Sequence, residues 1–318
     1  MLKKIFAGIL IFASAYLSFA QSPTIRMGLL KGVTSIPAAF LMENQPKLAV
    51  QDMTFTVYDS VQSELAAFLR EEIDTAFISL EDGAKVCNLN EEKYVILGIT
   101  QNLSLYLVSD DNSCKSIQDL NEKKILVTSK DSYPIKIFSY LFSKNKIEDN
   151  SSPAQVIFDD SLPAAQIPSK LITGQENYAL LEEPFAGVTL RNSKKMKRQI
   201  NLQKVYLENQ ENMICPHIVL LSHAEFAEKN RAMFTRFFSE YRRAVMWTNR
   251  NPLGAGLLAE KHQLGLSASL VKEVIPYSSF VWTGAKENRA QIEKALNIFL
   301  ESAPSSIGGK LPADEVYY

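Results

Sequence analysis

LREEIDTAFISLED, residues 69–82, and LITGQENYALLEEP, residues 171–184, are two versions of one unit about a hundred residues apart. Each ends an apolar-periodic helix and turns at a polar corner, Glu71-Glu72 in one and Gly174-Gln175 in the other. Each then runs through a short apolar strand, Thr75–Ser79 or 178–181, to acidic residues at the strand's carboxyl end. Two such units predict two similar lobes. An open α/β sheet holds its ligand beyond the carboxyl ends of its strands, so the repeated acidic ends predict a cleft between those lobes.

Residues 1–20 carry Lys3 and Lys4, an apolar run from Ile5 to Leu17 and the small-x-small site Ser18-Phe19-Ala20. This reads as a cleaved secretory signal peptide. The run is shorter than the ~20 residues that span a bilayer, and no later stretch is that long, so a mature chain starting near Gln21 is expected to be soluble and periplasmic. No cysteine stands at the cleavage point for lipid attachment. Loss of Lys3 and Lys4 leaves 32 basic against 35 acidic side chains, a formal charge of −3. That balance argues against a nucleic-acid or anionic-membrane surface. Roughly 300 mature residues with 46% apolar content fit two domains better than one. Cys87, Cys114 and Cys215 are an odd set for an exported chain, so at least one thiol is free or pairs between chains, and no disulfide framework is implied.

Outside the two units, strands are expected at 25–30, 55–58, 94–100, 103–109, 156–158 and 214–221, with a short helix and a strand in 117–127. Pro37 suits the first turn of a helix reaching Met42. Asp59 with Gln62 forms a capping box opening a helix over 61–70. Ser222 with Glu225 forms another, ahead of a long helix whose Phe226, Met233, Phe234, Phe237, Tyr241 and Val245 recur at helical spacing. A loop at 128–133 opens a helix over 134–145 with Ile137, Phe138, Leu141 and Phe142 on one face. Helices at 252–264, 267–274 and 286–300 and a glycine-containing tail complete the chain. Strands alternating with helices imply an α/β protein whose sheets are mostly parallel and flanked by helices.

Four pieces in chain order are IRMGLLKGVTSIPAAF behind the signal peptide, LREEIDTAFIS, IQDLNEKKILVTSKDS and ALLEEPFAGV. Together they resemble the substrate-binding proteins of ABC importers, in the group serving nitrate, sulfonate, taurine and thiamine-pyrimidine ligands. The similarity spans essentially the whole mature chain. It departs from the group's pattern at Glu72, where glycine is usual, at Asn177, where an aspartate is expected, and at Pro168 within a helix. The resemblance implies the two-lobed type II periplasmic-binding fold. Lobe one would comprise 22–109 plus 213–318 and lobe two 110–212, with hinges near Asp110 and at 209–212. It also implies a monomer that takes a small-molecule ligand and hands it to an ABC permease in the inner membrane.

Loops at the strand ends then supply the candidate ligand-binding residues: Thr34, Ser35, Tyr58, Asp59, Ser60, Ser79 and Glu81 on lobe one, and Ser129, Ser132, Tyr133, Glu182 and Glu183 on lobe two. Helix N-termini carry unpaired N–H groups, and hydroxyls both donate and accept. The alternative for each Ser or Thr is a plain helix cap. Glu182 and Glu183 would repel anions and accept hydrogen bonds from an amine or aminopyrimidine, while Tyr58, Tyr133 and Phe185 could stack on a flat ring. This favours a heteroaromatic or amine-bearing solute over a sulfonate or nitrate. Proline after Glu183 can also simply start a helix with a favourable charge at its N-terminus.

His217, His223 and His262 have no acidic or histidine partner identifiable nearby, so no metal is expected, and His217 reads as a core or hinge residue. Gly254, Gly256 and Ala259 spell G-x-G-x-x-A, but the segment before them is a helix end rather than a strand, so no dinucleotide cofactor is implied. The basic run RNSKKMKRQ, 191–199, reads as a solvated face. The chain is therefore read as a binder without cofactors rather than an enzyme. The alternative is an enzyme on the same fold using Glu183 as a base on a pyrimidine or small acid.

Overall fold

The structure, a computed structural model, describes residues 24–48, 52–90, 92–144 and 155–318; the expected signal peptide lies outside the described residues. The chain first lays down β1 (Ile25–Leu30), α1 (Ile36–Asn44), β2 (Met53–Tyr58), α2 (Val61–Leu69), β3 (Thr75–Ser79), α3 (Leu80–Leu89) and β4 (Tyr94–Asn102). It continues with β5 (Leu105–Ser109), β6 (Lys124–Leu126), α4 (Tyr133–Lys144), β7 (Ile157–Asp159), α5 (Ile167–Ile172), β8 (Tyr178–Glu182), α6 (Phe185–Asn192), β9 (Lys197–Asn201) and α7 (Leu202–Asn209). It ends with β10 (Pro216–His223), α8 (Ala224–Lys229), α9 (Arg231–Arg250), α10 (Pro252–Lys261), α11 (Ala268–Val274), β11 (Phe280–Gly284) and α12 (Arg289–Ser302).

Two sheets form, ordered β11-β4-β10-β3-β1-β2 and β7-β6-β8-β5-β9. Apart from β11, the first repeats in the second: β2-β1-β3 then a reversed β10 then β4, against β7-β6-β8 then a reversed β5 then β9. β3 and β8, the strands of the two quoted units, occupy equivalent central places. Both sheets are mixed, so the expectation of mostly parallel sheets needs correcting: β10 and β5 run against both their neighbours, and β11 runs against β4. The reason is the path of the chain. β4 ends at the cleft and β5 starts there after the crossing, so β5 runs away from the gap while β6 to β9 share the opposite sense; β10 does the same on the return.

Because β5 pairs with β8 and β9, the first crossing lies between Asn102 and Leu105 rather than at Asp110. The second crossing falls between β9 and β10. Apolar packing continues from one lobe into the other, one cluster holding Ile78, Leu296 and Phe299 together with Leu107, Phe138 and Leu180. Such large side chains, fully buried, stabilise by about 2 kcal/mol each.

Local chemistry adjusts several boundaries. Ser60, not Asp59, caps α2, its Oγ accepting from Ser63 N at 3.2 Å. Ser222 is still in β10, donating to the Asp74 carbonyl at 3.0 Å, and His223 is the cap residue of α8. The long apolar helix is two, α8 and α9, broken at Asn230. In α10 a Cβ on Gly256 would lie 2.4 Å from the Ala268 carbonyl oxygen, so that glycine serves close packing on α11 and not a phosphate. All three cysteines are free and buried. Among the described residues, no helix is long and apolar enough to cross a membrane.

Candidate functional site

Strand ends from both lobes converge on one gap. β1 leads into Lys31, Gly32 and Thr34, β3 into Ser79 and Asp82, and β4 carries Gln101; His217 is the second residue of β10, and Glu182 closes β8 from the other lobe. Two adjoining cavities result. One, of about 320 Å³, is lined by Thr34, Phe77, Gln101 and Glu183 among others; the second, of about 270 Å³, by Glu81, Asp131, Ser132 and Tyr133. They share Ser79, Asp82, Glu182 and His217. Together they suit a small solute. Larger hollows of about 470 and 950 Å³ lie elsewhere, the first around Arg26, Asp74 and His223, the second beside the C-terminus at Tyr317 and Tyr318. Neither is lined by any residue of β5 to β9, so neither is shared by two lobes.

The polar groups of the gap are largely committed. Ser79 Oγ accepts from Asp82 N at 3.0 Å and donates to Asp82 Oδ2 at 2.8 Å. The N-terminus of α3, a natural seat for an anion, thus already holds its own carboxylates, Glu81 and Asp82. Glu81 Oε1 takes Lys136 Nζ at 2.6 Å from the opposite lobe. Lys31, which lines the larger cavity, is ion-paired with Asp59. Tyr133 stacks on His217 and on Phe299, each at 5.1 Å between ring centroids, and donates its O–H to the Pro216 carbonyl.

Glu182 and Glu183, adjacent in sequence, have different fates. Glu182 Oε1 lies 3.3 Å from His217 Nδ1. The cleft walls desolvate His217 almost fully and Glu182 in part, pushing the carboxyl up to about 7 and the imidazole down to about 4. Glu183 accepts from Arg198 Nε at 2.9 Å and Nη2 at 2.5 Å, and from Gly187 N at 2.9 Å. Burial pushes its carboxyl up, and the guanidinium opposes that shift. Arg198 lies 3.7 Å above the Tyr277 ring, so the basic run is not wholly a solvated face.

Of the residues picked out from sequence, Thr34, Ser79, Glu81, Ser132, Tyr133, Glu182 and Glu183 line the two cavities. The other five do not. Ser35 is fully buried, and its hydroxyl has no partner. Tyr58 packs its ring on the core from the edge strand β2. Asp59 holds Lys31, Ser60 caps α2, and Ser129 Oγ accepts from Asp131 N at 3.3 Å. The ring of Tyr133 is already stacked within the protein. Missed by sequence reasoning were Asp82, Gln101 and His217 in the lining, and Lys136 and Arg198 behind it. Asp82 ends the first quoted unit and was within reach; His217 emerges only when reversed β10 is threaded between β3 and β4.

No protein-family model matches the chain, and no curated protein matches it. Solved structures do. An ABC transporter protein from Parabacteroides distasonis superposes with a TM-score of 0.78 at 19% identity, over 93% of this chain and 98% of that one. The periplasmic aliphatic sulphonate-binding protein SsuA from Escherichia coli gives 0.69 at 15% identity, over 92% and 96%. The periplasmic nitrate-binding protein NrtA from Synechocystis PCC 6803 gives 0.59 at 10% identity, over 90% and 84%. The chain has the periplasmic-binding-protein fold, two mixed α/β lobes with a gap between them.

Proposed function

We propose that this protein is the substrate-binding component of an ABC importer, exported to the periplasm by its cleaved signal peptide. It captures a small organic solute between its lobes and delivers it, as a monomer, to an inner-membrane permease. The observation that carries this reading is a pair of adjoining cavities whose shared wall comes from both lobes, Ser79, Asp82 and His217 from one and Glu182 from the other. A solute gripped by both halves stabilises the closed pair by its differential affinity for that state. Among ligand classes, an amine-bearing or heteroaromatic solute fits better than a sulfonate or nitrate, because Asp82 and Glu182 face the gap while the cations nearest it, Lys31, Lys136 and Arg198, already hold carboxylates. The protein is a binder in this reading: Glu183, the base that an enzyme on this fold would use, is spent on Arg198.

A thermal-shift screen of the mature protein tests the proposal. A true ligand at 100 times its Kd adds about 2.7 kcal/mol. No stabilisation by any of a panel of amines, aminopyrimidines, amino acids, sulfonates and nitrate would contradict it.

A further inference from the structure

We propose that Glu182 and His217 form a single proton-holding specificity pair, which accepts a solute through a protonated nitrogen and turns away one that presents an anion. The inference rests on the cleft being the solute site. The two side chains come from opposite lobes and meet with Oε1 and Nδ1 3.3 Å apart. His217 is 8% exposed, and its Nδ1 makes no hydrogen bond, Glu182 Oε1 being a close polar neighbour without hydrogen-bond alignment. Two electron-rich atoms at that distance repel, so the contact is tolerated only when one of the two groups carries a proton. The Glu182 side chain is 31% exposed, which leaves it open to a solute.

The surrounding charges decide what the pair does. Lys136 facing from α4 is held by Glu81, Lys31 beyond β1 by Asp59, and Arg198 from β9 by Glu183. Asp82 from α3 and Asp131 ahead of α4 also line the gap and add negative charge. Tyr133 covers the imidazole ring and gives its O–H to Pro216, so it offers His217 no hydrogen bond. Among the described residues that line or back the gap, no cation is left unpaired to support an ionised Glu182. Burial of His217 keeps its imidazole neutral, and the partial desolvation of Glu182 with no unpaired cation beside it leaves the pair's proton on the carboxyl. When a protonated amine binds, its N–H donates to the carboxylate, the shared proton leaves to solvent, and the ammonium charge balances Glu182. The exchange conserves charge: one cation enters and one proton departs. A sulfonate would meet Asp82 and Glu182, with Lys31 in the same lining already paired with Asp59.

Two measurements test the pair. In the first, imidazole ¹⁵N shifts of the ligand-free protein are followed from pH 4.5 to 8.5. The expected result is that His217 stays neutral above pH 5 yet senses a step near pH 7, which disappears in Glu182→Gln. A His217 that charges near pH 6.5 identically in both proteins overturns the pair, whatever the fate of the binding proposal. In the second, putrescine, 4-aminopyrimidine and taurine are compared by thermal shift and calorimetry at pH 5.5 and 7.5. Putrescine binding should weaken by up to tenfold per pH unit below 7 and release a proton, with both effects lost in Glu182→Gln and reduced in His217→Gln, whereas 4-aminopyrimidine, a neutral base near pH 7, should take up the pair's proton and release none. Binding of taurine in preference to both bases overturns the specificity while leaving the protein a solute binder.

Discussion

Lys136 Nζ lies 2.6 Å from Glu81 Oε1 and ties the first turn of α4 in one lobe to the first turn of α3 in the other. The side chains are only 20% and 10% exposed. Removing one partner of such a pair leaves a buried charge uncompensated, at a cost of about 3–5 kcal/mol, whereas replacing both by apolar groups is often neutral. Lys136→Met should therefore destabilise strongly, and the double change Lys136→Met with Glu81→Leu should recover most of the loss. Urea denaturation of the four proteins reads this out; simple additivity would show the contact to be uncoupled.

Arg198 behaves as a structural anchor rather than a surface cation. It gives two N–H bonds to Glu183 and lies on Tyr277. Arg198→Met should cost about 3–5 kcal/mol. Arg198→Lys should rescue little, because a point ammonium reproduces neither the planar fork nor the stack. Melting temperatures of the two variants within a degree or two of the parent would contradict this.

Glu64 is a fully buried acid away from the site, its Oε1 accepting from Phe77 N at 3.0 Å and its Oε2 unpartnered. Burial raises its carboxyl from 4.5 to about 7. The folded protein therefore keeps a proton that the unfolded chain has released, so this contribution is whole below pH 4.5, falls as pH rises to about 7, and is flat beyond. The loss amounts to roughly 3 kcal/mol at most. Glu64→Gln should flatten that part of the stability curve; an unchanged slope would place the titration elsewhere.

How legible the molecule was depended on whether a feature is local. The two quoted units and the helix Pro37 starts were readable because alternation, helical period and proline act within a few residues. The reversal of β5 and β10 was not, since a strand's direction depends on where the chain re-enters a sheet. The same limit governs the site. Thr34 and Ser35 are neighbours in one tight turn, yet one lines the gap and the other is buried. Glu182 and Glu183 differ in the same way: the first meets His217, the second Arg198. A cation such as Arg198 in a polar run reads as solvated until its partner across the sheet is known.

Hydrogen exchange with and without the most stabilising solute from the thermal screen tests the central claim most directly, because it locates what a bound solute slows. A solute held between the lobes should slow exchange together at 79–83 and 216–218 in one lobe and at 182–187 in the other. Protection confined to one lobe, or centred on the hollow around Arg26, Asp74 and His223, would contradict the account.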